Sequence, residues 1–211
     1  MSMYMPAYFQ ETEVPVLHEA IRTIAFGTLV SLGADGLIAS HVPMLLDPEP
    51  APYGTLIGHV ARANPHWQTA KAEVDALAMF LGPNCYVTPS FYAAKRETGK
   101  VVPTWNYVAI HAYGTAEFID DPEWLRTLVT ELTRTHEAGR AAPWAVSDAP
   151  PDFVAGMLRS IVGIKLPIAR LEGKWKMSQN RPAVDRPGIV AGLAEDGEAA
   201  VSEIVAARNR G

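Results

Sequence analysis

Three short stretches of this 211-residue chain set amides, a cation and apolar or aromatic side chains side by side. In Val102-Pro103-Thr104-Trp105-Asn106-Tyr107, two large aromatics and an amide follow an X-Pro bond, which pushes residue 102 toward extended geometry. Thr104, Trp105, Asn106 and Tyr107 can stack on a flat ring and hydrogen-bond its polar edge, although tryptophan is also a common core residue. In Gly58-His59-Val60-Ala61-Arg62-Ala63-Asn64-Pro65-His66-Trp67 a strand gives way to a helix, whose first amides and dipole favour an anion. Arg62 adds a planar cation suited to phosphate. Asn64 can cap the helix or touch a ligand, and a cap beside a surface arginine is the competing reading. The third stretch, Lys176-Met177-Ser178-Gln179-Asn180-Arg181, ends in a polar trio unusual for a core but equally suited to a solvated loop.

A fourth stretch is Leu37-Ile38-Ala39-Ser40-His41-Val42-Pro43. On a strand, Ser40 and His41 point to opposite faces. Pro43 has no N–H for the ladder, so an edge or bulge is expected there, with backbone groups left for a ligand. A satisfied strand histidine is the plainer alternative for His41.

Other chemistries lack their patterns. There is no Gly-x-Gly-x-x-Gly fingerprint, no Walker loop and no Gly-x-Ser-x-Gly elbow. Histidines 41, 59, 66 and 111 show no ligand spacing with Cys or carboxylates, so no metal site is expected. The single cysteine, Cys85, forms no internal disulfide and reads as a buried strand residue.

The elements that must carry these residues follow from hydrophobic period and punctuation. Residues 1–13 read as an arm burying Tyr4, Tyr8 and Phe9, and residues 14–24 have helical spacing. Strands are expected over 25–32 and 37–46 as a hairpin, then at 55–60, 75–81, 85–88, 104–119 and 160–171, with 173–181 closing the last. Helices are expected from Asn64 to about Glu73, from Asp121 through Ala138, over 152–158, and at 189–193 and 198–207. Consecutive strands without regular intervening helices argue against a doubly wound sheet. The fold class expected is mainly β with flanking helices (α+β).

With 48% hydrophobic and 19% charged residues, the chain has globular composition and enough length for one sizeable core. We expect one domain over 1–181, with 182–211 a helical extension of it. No apolar run reaches membrane-span length, and no basic-then-apolar start marks a secretory signal, so the expectation is a cytoplasmic protein without membrane contact. A net charge of -5 with scattered cations opposes general DNA binding, which needs a basic surface.

The four stretches, with Met5-Pro6-Ala7-Tyr8-Phe9, Gly82 through Tyr92, His111-Ala112-Tyr113-Gly114 and Ile161-Val162-Gly163-Ile164, resemble the PaiB family, described as FMN-binding negative transcriptional regulators. The likeness runs in order over residues 3 to 181. Phe91 stands where tryptophan is expected, and the loop from Arg96 to Val101 is longer than usual. The resemblance implies an FMN-binding split β-barrel of the pyridoxamine-phosphate-oxidase-like kind, usually a homodimer with flavin between subunits. It implies that Arg62 holds the FMN phosphate with Asn64 and the helix start. Ser40, His41, Val42 and Pro43 would then run beside the ring, near His59, Val60 and Trp67. Thr104, Trp105, Asn106 and Tyr107, with Gln179, Asn180 and Arg181, would close the site from the same or the partner subunit. The function implied is repression of transcription. The alternative is an FMN-dependent oxidoreductase or flavin reductase without DNA contact, the flavin itself carrying the redox chemistry. A haem-handling barrel ranks last.

Overall fold

The computed structural model describes residues 2–209. The elements in chain order are β1 (Gln10–Glu11), α1 (Val14–Ile24), β2 (Phe26–Gly33), β3 (Gly36–Asp47), β4 (Thr55–Ala61), α2 (His66–Thr69), β5 (Ala76–Val87) and α3 (Ala94–Thr98). There follow β6 (Thr104–Gly114), β7 (Glu117–Ile119), α4 (Pro122–Glu137), α5 (Pro151–Leu158), β8 (Ile161–Pro167), β9 (Arg170–Lys176), α6 (Arg186–Glu195) and α7 (Ala199–Arg208). The chain divides into two units, one of residues 1–17, 81–110 and 172–211, the other of residues 18–80 and 111–171.

In the second unit the strand order is β5-β2-β3-β4-β8-β7. The β2–β3 hairpin pairs Phe26 with Pro43 through Gly33 with Gly36, antiparallel, and Gly36 sits at φ 121°, which only glycine adopts without strain. Alternation buries Leu29 on β2, Val42 and Met44 on β3, Leu56 on β4, and Ile164 and Leu166 on β8. Pro43 marks a change of partner rather than a bulge. Up to Pro43 the strand pairs with β2, and from Met44 it pairs with β4. A residue without an N–H is tolerated where one ladder ends and the next begins.

Helix α4 starts as its sequence dictates. Asp121 caps it, its carboxylate accepting the Trp124 N–H at 2.7 Å, and Leu125, Leu128 and Leu132 face inward. Leu125 packs with Val154 and Leu158 of α5.

In the first unit the order is β1-β9-β6-β5. Its core gathers Phe9, Val108, Trp175, Met177, Ile189, Leu193 and Val205. Phe91 wedges against α6, where a side chain on Gly192 would fall 2.2 Å from its ring. Cys85 is buried, and burial with the nearby Glu198 pushes its thiol up to about 11, which removes it as a nucleophile at neutral pH.

Several boundaries differ from the periodic reading. Of the arm's aromatics among the described residues, Tyr4 and Tyr8 are exposed and Phe9 is buried. The strands expected at 75–81 and 85–88 form one strand, β5, because pairing carries the ladder through Gly82-Pro83-Asn84. The long strand expected over 104–119 breaks after Gly114, where a side chain would fall 2.0 Å from the Pro167 carbonyl oxygen. The strand expected over 160–171 ends at Pro167. There the Ile168 N–H bonds the Gly54 carbonyl, the Ala169 N–H bonds that of Tyr113, and β9 begins afresh.

Candidate functional site

On β3 and the segment after β4, the second unit builds a buried polar chain. Ser40 is inward and buried while His41 is outward, as alternation requires. Ser40 Oγ meets His66 Nδ1 at 2.9 Å and accepts from Asn64 Nδ2 at 2.9 Å, and His66 Nε2 meets Ser31 Oγ at 2.9 Å. Asn64 Oδ1 accepts the His66 N–H at 2.9 Å, so both ends of its amide are engaged in shaping the turn. His66 and Ser31 were not among the expected site residues. Nothing local marks them, since their partners lie 26 and 35 residues apart along the chain.

Burial lowers the His66 pKa below its usual 6.5. The unfolded chain therefore binds this proton more readily, so the stability His66 confers is complete above the unfolded value and declines as pH falls below it. The melting temperature of the natural chain is expected to drop more between about pH 7.5 and about pH 5.5 than that of a His66→Gln variant. Equal drops in scanning calorimetry would refute this.

Arg62 is committed elsewhere. Its Nη1 and Nη2 donate to the two carboxylate oxygens of Asp120 at 2.8 and 2.5 Å, Nε to the Arg159 carbonyl at 2.7 Å, and Nη2 also to that of Ile161 at 3.1 Å. The fork expected to receive a phosphate is already charge-matched. Trp67 closes over this segment, its Nε1 donating to the Arg62 carbonyl at 2.9 Å. The helix expected from Asn64 to Glu73 is only α2, four residues long, because the Lys71 N–H turns back to the Leu32 carbonyl at 2.9 Å. One turn of helix carries too little aligned dipole to be an anion site.

The remaining expected residues of this unit scatter. Val42 and Val60 are core side chains. His41 is exposed, its Nδ1 2.9 Å from Thr28 Oγ1 and its ring stacked on Phe26 at 6.3 Å. Pro43 sits at the partner change described above. Among the described residues, residues 36–43 pair with β2 alone, and pairing with β4 starts at Met44. His59 faces away from Val60, into an apolar cavity under α4 and α5.

The first unit gathers a different set. Asn106 is fully buried, its Oδ1 accepts from Ser178 Oγ at 3.1 Å, and its Nδ2 has no partner. Ser178 holds φ 61°, a left-handed conformation costly for a residue with a side chain. Trp105 stays half exposed, its Nε1 donating to Asn84 Oδ1 at 3.2 Å with Tyr86 edge-on at 6.3 Å. Lys176 Nζ donates to Thr104 Oγ1 at 2.5 Å and to the Trp105 carbonyl, 6.0 Å from the Tyr107 ring. Lys174, two residues back on β9 and so on the same face, is buried, donates to the Tyr4 carbonyl at 2.8 Å and lies 5.3 Å from the Tyr107 ring. Arg181 donates to the Val102 carbonyl at 3.0 Å over the Tyr92 ring.

Burial lowers the Lys176 pKa, and the charges of Arg181 and Lys174 lower it further. Among the described residues no carboxylate forms an ion pair with any of the three. Three crowded cations outside any ion pair raise the local positive potential. Gln179 instead braces its own turn, with Nε2 to the Trp175 carbonyl and Oε1 from the Met177 N–H, both at 2.7 Å. Asn180 is exposed. The two lysines were absent from the expected site. The signal for them was their two-residue spacing on a strand, which puts both on one face together with Glu172.

Among the described residues, no helix is long and apolar enough to cross a membrane, and no group of three or more His, Cys, Asp or Glu is placed to hold a metal. The family described as "Putative FMN-binding domain" matches residues 3–170. An uncharacterized protein of Aspergillus fumigatus is 37% identical over 243 residues, with 92% of each chain covered. The protease synthase and sporulation protein PAI 2 of Bacillus subtilis is 32% identical, with 92% of this chain and 90% of that one covered. Among solved structures, the FAD and heme binding protein of Mycobacterium smegmatis superposes with a TM-score of 0.56 at 17% identity, over 79% of this chain and 73% of that one. At that identity the likeness speaks for the fold, the split barrel that the sequence implied.

Proposed function

Because the chain belongs to the PaiB family of FMN-binding proteins, we propose that it holds FMN against the first unit's aromatic and cationic face. The observation that carries this is the trio Lys174, Lys176 and Arg181 beside Trp105 and Tyr107, none of the three in an ion pair among the described residues. A dianionic phosphate supplies the charge this cluster lacks, and the half-exposed Trp105 offers a flat surface to a ring. The unpartnered Nδ2 of buried Asn106 and the strained Ser178 fit a site shaped for a ligand rather than for its own stability. When bound, FMN supplies the redox chemistry. The residues' work is to bind, orient and shield it. The lysines neutralise charge. Arg62 is the competing phosphate anchor, at the expense of its bond to Asp120.

The biological role we propose is PaiB-type negative control of transcription, exerted without direct DNA contact. The net charge of -5 supports that form of it. A flavin oxidoreductase is the second reading. It is favoured by the exposed His41, whose ring is held by Thr28 and can pass a proton. A cytoplasmic homodimer, with residues 182–211 extending the FMN domain, completes the proposal.

The test is to denature the purified protein and identify what it releases. FMN is the expected chromophore, and a colourless protein that gives no heat with micromolar FMN in calorimetry refutes the reading. NAD(P)H oxidation with added acceptors then separates the enzyme from the regulator, and a promoter mobility shift that survives moderate salt would overturn regulation without DNA contact.

A further inference from the structure

Within the second unit, β4, β8, α4 and α5 and the turn at 146–148 enclose a cavity of about 230 Å³ that the proposed flavin site does not use. Its walls are apolar. Trp144, Phe153 and Met157 stand at it with half or more of their surfaces exposed, over Val129 and its neighbours. Large aromatics left exposed around a concavity mark a binding surface. No lining residue bears a carboxylate, ammonium or guanidinium group, and the only polar side chains are His59, Thr133 and the Trp144 indole.

His59 gives the cavity its chemistry. Its Nδ1 is enclosed without a partner, and its ring lines the cavity. A buried bare lone pair is better tolerated than a buried orphan N–H. That favours the proton on Nε2, the nitrogen absent from the buried unpartnered atoms, and makes the ring a donor there. Burial lowers the pKa of this histidine, which keeps the ring neutral.

We propose that this cavity is a second ligand site, for a small neutral aromatic molecule carrying one hydrogen-bond acceptor that His59 meets. The volume is below the roughly 300–1,000 Å³ of drug-sized sites, which suits one or two fused rings. The uncharged lining excludes FMN and other anions, since a phosphate here would be desolvated without a counter-charge. Trp144 and Phe153 supply stacking surface, and Met157 a polarisable contact.

The test uses the full chain as purified, with acetophenone as probe, benzoate as its anionic counterpart and cyclohexyl methyl ketone as its non-aromatic one. Saturation-transfer NMR and calorimetry are expected to show saturable acetophenone binding, at least about tenfold tighter than either counterpart, a difference of about 1.4 kcal/mol. Trp144→Ala and Phe153→Ala should each weaken it by about tenfold with FMN content unchanged, and both side chains are exposed enough to be truncated without loss of fold. His59→Phe should abolish the advantage of acetophenone over toluene. Absence of saturable binding, binding indifferent to both truncations, or benzoate binding as tightly as acetophenone would each overturn the proposal. So would loss of FMN in the Trp144 or Phe153 variants, which would make the cavity part of the flavin site.

Discussion

Lys176→Met is expected to weaken FMN binding by roughly 10- to 100-fold, the range for losing one charge-assisted hydrogen bond in a partly desolvated site. Methionine keeps the stem that lies near Phe9 and Tyr107, so the change removes the charge with little loss of packing. Thr104 Oγ1 can turn to another partner, and the Trp105 carbonyl lies where water reaches it. The matched experiment is Arg62→Ala. If Arg62 serves chiefly to tie Asp120 and the carbonyls of Arg159 and Ile161, its loss lowers the melting temperature while FMN affinity stays within about threefold. Fluorescence titration of both apoproteins with FMN decides. The reverse pattern, with Lys176→Met unaffected and Arg62→Ala unable to hold FMN, would return the phosphate to Arg62.

Gly114→Ala should destabilise the second unit by about 3 kcal/mol, the upper part of the overpacking range. A Cβ there would lie 2.0 Å from the Pro167 carbonyl oxygen and 3.5 Å from the Ala169 nitrogen. These are backbone atoms already held in place, since the Ala169 N–H bonds the Tyr113 carbonyl at 2.8 Å and Pro167 pairs with Thr55. No side chain can swing aside to make room. The corresponding fall in melting temperature is roughly 6–12 °C for a chain of this size. Gly139→Ala is the control, because nothing lies within 4 Å of a Cβ there, and it should melt within a degree or two of the natural chain. A Gly114→Ala protein that melts with the control would show that the strand has slack the geometry denies.

Much of the fold was legible because it follows from short-range rules. The period of Leu17, Ile21 and Ile24 specified α1, and Asp121-Pro122-Glu123 specified where α4 begins. The turn between β2 and β3 specified that hairpin, and alternation alone put Ser40 and His41 on opposite faces. Family resemblance added the flavin-binding split barrel, since its motifs recur in order along the chain. Strand ends were less legible. β5 runs through a Gly-Pro-Asn that reads as a turn, and β6 stops at Gly114, packed against a carbonyl over fifty residues away.

The amino-acid order by itself determined the periodic elements, the kinds of residue available for a site and the net negative charge that disfavours DNA. Only the tertiary structure decided what each cation faces. Arg62 meets Asp120, 58 residues on, and is neutralised, whereas Lys174, Lys176 and Arg181 crowd one another and, among the described residues, form no ion pair. His59 likewise lines a cavity walled by α4 and α5. The physical reason is range. Backbone preference and side-chain period act over a few residues, while charge pairing and enclosure depend on which strands and helices become neighbours, and strand register sets that only once the sheet has formed.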